Sequence, residues 1–121
     1  MKIKSIKAKG RNLQNLVRDK LREKFITNWT KIPKLQEDDI KSQTMGMTGE
    51  DIVLSPKARE MIPYSFECKN VERLQFWATV EQAESNIQDK CTPAIVVKKN
   101  GKTPYAAIPL EHFLELIGRQ K

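Results

Sequence analysis

The sequence predicts an α/β protein. Three observations carry that expectation: a helical apolar period in residues 9–25, short alternating strands around residues 51–54 and 64–69, and a hairpin signal at Asn100-Gly101. At 121 residues the chain is most simply one domain, 1–121, with a small but real core, and a chain this short gains from association when its substrate is large.

In "KGRNLQNLVRDKLREKF" the residues Leu13, Leu16, Val17 and Leu21 recur at three- and four-residue spacing, and Arg11, Asn15, Arg18 and Arg22 gather on another side. The helix thus has a core face and a cationic face, with Gln14 at the edge of the apolar stripe. Residues 28–49 are scattered polar residues with two glycines and one proline, read as a weak strand or loop. "GEDIVLS" is a short strand with Asp51 and Val53 on one face and Ile52 and Leu54 on the other. Ser55-Pro56 stops it, and "SPKARE" pairs an N-cap with Pro at the first helical position, which predicts a single helical turn.

The next strand, 64–69, lies within "PYSFECKN". Side chains alternate, so Glu67 and Lys69 share one face and Phe66 and Cys68 the other. Asn70 is the expected cap of a helix from Val71 to about Asp89, with two apolar patches: Val71, Leu74, Trp77 and Ala78, and Phe76, Val80, Ala83 and Ile87. Then "AIVVKKNGKTPYAAIP" reads as two strands joined by Asn100-Gly101, the pair favoured in a two-residue type I′ turn. A final helix runs from about Leu110 to Ile117.

The net charge of +7 is unevenly placed. Residues 1–41 hold twelve Lys or Arg against five Asp or Glu, and residues 42–121 hold ten of each. A basic front on a neutral body suggests a polyanion docking surface, since phosphate contacts supply most sequence-independent nucleic-acid affinity; a solvated basic arm is the alternative. Two cysteines separated by 22 intervening residues make neither a disulfide framework nor a four-ligand zinc site, and no apolar run is long enough to span a membrane. The chain reads as cytoplasmic.

Asp51 and Glu67 are hard oxygen donors of the kind Mg²⁺ or Mn²⁺ accepts. Lys69, on the face of Glu67, can hold or deprotonate a water or offset charge on a pentacovalent phosphate. The constellation suits phosphodiester hydrolysis, against the plainer alternative of a structural Glu67–Lys69 salt bridge. His112, the only histidine, sits among apolar residues and reads as packing or surface. Cys68 and Trp77 read as core, Trp29 as a base-stacking candidate, and Tyr105 is undecided.

"GEDI" followed by "FECKN", with the basic helix before and "EQAE" after, resembles the PD-(D/E)XK nuclease superfamily, most closely the small Holliday junction resolvases of phages and archaea. The resemblance spans Lys9 to about Leu116. It implies a restriction-endonuclease-like central mixed β-sheet flanked by helices. It also implies Asp51 and Glu67 as ligands of Mg²⁺ (or Mn²⁺), the Cys68 backbone carbonyl as a further ligand, Lys69 as the catalytic lysine, and Gln82 facing the site. Archaeal resolvases usually carry a Glu four residues after a Gly on the first helix; here Gly10 is followed by Gln14, a neutral and weaker ligand. Ser42 is carried over as a phosphate contact, and the basic front of the chain offers Lys7, Lys9, Arg11 and Arg18 to grip backbone phosphates without reading bases. The expected activity is a metal-dependent endodeoxyribonuclease resolving four-way junctions in DNA recombination as a homodimer. The rivals are a nuclease of the same fold acting on other branched or duplex DNA (nicking, restriction-like or replication-linked), and a non-enzymatic basic DNA-binding module.

Overall fold

The computed structural model describes residues 3–26, 34–44, 47 and 49–120. Trp29 lies outside the described residues. Helix α1 spans Ile3–Phe25, six residues more at its start than the apolar period marks, because nothing before Gly10 breaks a helix. A 3₁₀ turn at Glu37–Asp39 leads into β1 (Ile40–Ser42), followed by β2 (Ile52–Leu54) and helix α2 (Pro56–Met61). Strand β3 (Tyr64–Asn70), helix α3 (Phe76–Ser85), strands β4 (Thr92–Lys98) and β5 (Tyr105–Ala107), and helix α4 (Leu110–Gly118) complete the order.

The result is the expected α/β class, with its strands in two groups. β1 and β2 pair antiparallel, Ser42 opposite Ile52. β3 runs parallel to β4 through the crossover helix α3, and β4 pairs antiparallel with β5, making a mixed sheet in the order β3-β4-β5. The groups meet where the Asp51 N–H donates to the Phe66 carbonyl at 2.9 Å.

The core fills the space between α1, β1–β2 and α2. Leu35, Ile40, Ile52, Leu54, Ala58 and Ile62 are buried there, with Val17, Leu21, Phe25 and Phe66 packed against them. Truncating a side chain such as fully buried Ile52 to Ala costs about 2–5 kcal/mol by the usual measure of such cavities. The apolar face of α1 is narrower than its spacing suggests, since Leu16 is 38% exposed. Arg22, expected on the cationic face, instead donates to the carbonyls of Ile40 at 2.9 Å and Glu37 at 3.1 Å, fastening α1 to β1. Ser55 caps α2 as anticipated: its hydroxyl accepts from Ala58 N–H at 3.1 Å and donates to Asp39 at 2.6 Å.

Four expectations are corrected. Helix α3 starts at Phe76, not Val71, because the Val71 N–H prolongs the sheet by donating to Lys98 O at 3.0 Å. Asn70 is therefore the last residue of β3, and its amide donates to Lys9 O at 3.2 Å instead of capping a helix. The hairpin is wider than a two-residue turn: Val97 pairs with Tyr105, and Gly101 alone in the loop takes positive φ (+75°), whereas type I′ needs positive φ at both central residues. Pro104, with no N–H to give the ladder, delays pairing until Tyr105. Trp77, read as core, is 74% exposed, its ring edge-on to Phe76.

Candidate active site

Tyr64 and Phe66 turn towards the core under α1, while Ser65 and Glu67 turn towards the α3 side, as strand alternation requires. β3 also forms one edge of its sheet, and the edge is where chemistry collects. A cleft of about 250 Å³ opens there, lined by Gln14 of α1, Asp51, Glu67, Cys68 and Lys69, with Gln82 of α3 at its rim. Two sequence-distant carboxylates, the lysine and both glutamines thus meet in one concavity.

Asp51 arrives through a turn that needs glycine. Gly49 holds φ +106°, a conformation other residues rarely adopt, and the chain then enters Glu50 and Asp51. The Asp51 carbonyl accepts from Gln43 N–H at 2.8 Å, and its own N–H bonds Phe66 O. Its carboxylate accepts from the Cys68 N–H at 2.6 Å. Main chain and side chain together therefore cover the β3 edge, and Asp51 is fixed to β3 through both. Because a strand residue directs its N–H and C=O to the same edge, the Cys68 carbonyl faces this cleft as well.

Glu67 is only 2% exposed. Burial pushes its carboxyl up to about 7, the neighbouring Asp51 charge and a hydrogen bond shared between the two carboxyls push the same way, and Lys69 and Asn86 pull against them. The Asn86 amide donates to Glu67 Oε1 at 3.4 Å. Burial likewise pushes the Cys68 thiol up, which removes it as a nucleophile at neutral pH.

Behind the pair stands a buried support that the sequence did not announce. Glu50, next to Asp51, is gripped by both terminal nitrogens of Arg59 and accepts from the Ser65 hydroxyl at 2.8 Å. It locks the segment carrying Asp51 to β3. Its only sequence signal was a second acid beside the expected one.

The donor set suits a hard divalent cation. Gln14 is 8% exposed, and its side-chain oxygen is buried with no hydrogen-bond partner among the described residues. An acceptor left so is costly, about 1–3 kcal/mol, unless something in the cleft meets it. Asn70 Oδ1 is orphaned in the same way and also lines the cleft. With Lys9 O necessarily facing the amide nitrogen, that oxygen cannot be turned away. Among the described residues no group of three or more His, Cys, Asp or Glu gathers, so a cation here would rest on two carboxylates and neutral oxygens, all of the kind Mg²⁺ or Mn²⁺ takes.

The remaining expected residues divide. Lys7 and Arg11 are exposed on α1 beside the cleft. Lys9 is drawn in, its ammonium buried without a partner among the described residues. Arg18 is engaged with Asn15 at 3.2 Å and Asp19 at 2.9 Å. Ser42 does not line the cleft: its hydroxyl donates to Asn15 at 2.8 Å, and the following Gln43 and Thr44 line it instead. His112 packs as expected, with its Nε2 2.5 Å from the Tyr64 hydroxyl.

Residues 5–121 match the family model described as "Phage putative PDDEXK endonuclease". No curated protein and no solved structure matches the chain. No helix among the described residues is long and apolar enough to cross a membrane.

Proposed function

The chain belongs to the phage PDDEXK endonuclease family, and from that premise we propose that it hydrolyses DNA phosphodiester bonds in the cleft at the edge of β3, with Mg²⁺ or Mn²⁺ held by Asp51, Glu67, the Cys68 carbonyl and Gln14. The observation that carries this reading is the meeting of two carboxylates, one of them almost wholly buried, with Lys69 and an unpartnered amide oxygen in one cleft. A cation bound there supplies Lewis-acid stabilisation to the phosphate under attack.

The chain's own groups do the rest. Asp51, tied by its main chain and carboxylate to β3, presents a donor that needs no reorganisation. Glu67 is a carboxylate whose burial beside another anion makes it hold either a proton or a cation tightly. Lys69 orients the attacking water through its ammonium hydrogens or offsets the charge that builds on the phosphoryl oxygens. Gln82 lends an amide at the rim. Lys7 and Arg11, exposed on α1, grip backbone phosphates without reading bases, whereas Lys9, whose ammonium is buried, and Arg18, held by Asn15 and Asp19, are drawn away from that task.

The substrate in this reading is a four-way DNA junction, cut by a homodimer. A junction has approximate two-fold symmetry, and one chain offers one cleft, so two symmetric cuts call for two copies. The test is cleavage of a labelled immobile junction and a duplex of equal length at matched salt, each with Mg²⁺ and with chelator. Faster, paired and symmetric nicking of the junction supports the proposal. Equal rates on duplex would move the substrate to ordinary DNA, and cleavage that survives the chelator would remove the cation from the mechanism.

A further inference from the structure

The face of the sheet opposite α1 is unfinished. Between α3 and β5 runs an apolar groove of about 410 Å³, floored by Ile95 and Ala107 and rimmed by Trp77 and Leu110. Tyr105, paired with Val97, stands on the same sheet face and is 72% exposed. From Leu110, itself 67% exposed, the apolar surface continues along α4 through Phe113, Leu114 and Ile117, the spacing of one helical stripe. None of the nine residues of α4 is buried. A helix this apolar on one side, with so little beneath it, is the mark of a surface that is covered in use.

We infer that a second copy of this chain covers it, the α4 ridge of each protomer lying in the α3–β5 groove of the other. This rests on the junction-cutting homodimer proposed above and identifies the surface through which it forms. Four considerations select the second copy. A ridge directly beside a groove of the same chemistry is self-complementary under a two-fold axis, the symmetry of most homodimers. With an aromatic side chain presenting about 150–250 Å² as a guide, the six exposed side chains offer on the order of 700 Å², near the ~800 Å² each partner gives to a standard interface. Glu111 and Glu115 on α4 and Glu84 in the groove put acid around the patch, which disfavours DNA stacking on Trp77. The excess positive charge lies in the first 41 residues, which include α1 on the other side of the sheet, so association here leaves both α1 surfaces free for DNA, the lysines nearest the patch being Lys98, Lys99 and Lys102 beside Tyr105.

The test is the mass in solution, by light scattering and sedimentation, of wild type and of the double variant Phe113→Asp, Ile117→Asp, with Asp51→Asn as a control that should stay dimeric. Both substituted side chains are half exposed, so the helical circular dichroism should persist. The inference expects a wild-type dimer and at least a hundredfold weaker self-association in the double variant. That variant should still nick DNA singly while losing paired cuts on a junction. A wild-type monomer at high concentration, or a double variant that remains dimeric, overturns it. Should the double variant not fold, hydrogen exchange of the wild type decides: protection of the α4 amides must rise with protein concentration, and a flat profile overturns the inference. A dimer that dissociates as expected but cuts no DNA in either state would leave the surface standing and sink the nuclease reading alone.

Discussion

Substituting Glu67 by Gln should make the metal-free protein more stable at alkaline pH and leave it unchanged at acid pH. The carboxyl is 2% exposed and stands beside Asp51, which together raise it from 4.5 to about 7. The folded protein therefore holds this proton more tightly than the unfolded chain does. Its stabilising effect is full below about pH 4.5 and is lost as the pH rises through about 7. The shift corresponds to about 3 kcal/mol at most. For a domain of this size that is roughly 10 °C in Tm. Glutamine keeps the shape and stays neutral, so the difference between variant and wild type is near zero at about pH 4 and up to that value at about pH 8. Comparing the two proteins cancels the titration of other carboxylates. The assay is thermal unfolding in chelator, repeated with Mg²⁺ or Mn²⁺. The cation should raise the wild-type Tm far more at the higher pH, where it does not compete with a proton, and should do little for Glu67→Gln. A Tm difference that is the same at both pH values would show that Glu67 is not a buried anion beside Asp51.

Three further outcomes follow from neighbouring residues. Gln14→Met, nearly isosteric, removes an unpartnered buried acceptor and should raise metal-free Tm by a few degrees while weakening the cation dependence of cleavage, whereas Gln14→Glu should keep activity and tighten the cation; a Gln14→Met protein with unchanged cation dependence would mark Gln14 as packing only. Arg59→Met leaves Glu50 buried without its partner and should cost about 3–5 kcal/mol in thermal or urea unfolding; a loss below about 1 kcal/mol would contradict the locking role of the pair. Replacing exposed Lys7 and Arg11 by Ala should weaken binding to every DNA alike and reduce the salt slope by about one for each phosphate no longer neutralised, read by fluorescence anisotropy across a salt series. An unchanged salt slope would take these two residues off the DNA path.

What was legible in the sequence were features with a local period or a local stop. The α1 stripe, the Ser55-Pro56 cap and the alternation that sets Glu67 and Lys69 on one face all follow from neighbours in the chain. Asp51, Glu67, Lys69, Gln14 and Gln82 were each named from pattern and resemblance, and they do converge on one cleft. What escaped depends on partners far away in sequence. Asn70 looks like a cap by its position, yet its amide is claimed by Lys9, 61 residues earlier. Val71 begins a plausible helix, but the free carbonyl of Lys98 extends the strand first. Ser42 resembles a phosphate contact until Asn15 takes its hydroxyl. Trp77 falls on an apolar patch of the helical wheel, and no wheel can say whether anything lies opposite that patch.

The central claim is that the cleft holding Asp51, Glu67 and Lys69 is where DNA is cut. The most direct measurement is the single-turnover cleavage rate of a labelled DNA by wild type and Lys69→Ala, each in Mg²⁺ and in chelator, with binding of the same DNA followed in parallel. The account predicts cleavage by wild type only with the cation, a loss of at least about a hundredfold in Lys69→Ala, the scale of one positioned charge, and equal DNA affinity for both proteins. Full activity of Lys69→Ala, or binding lost in step with cleavage, would contradict it.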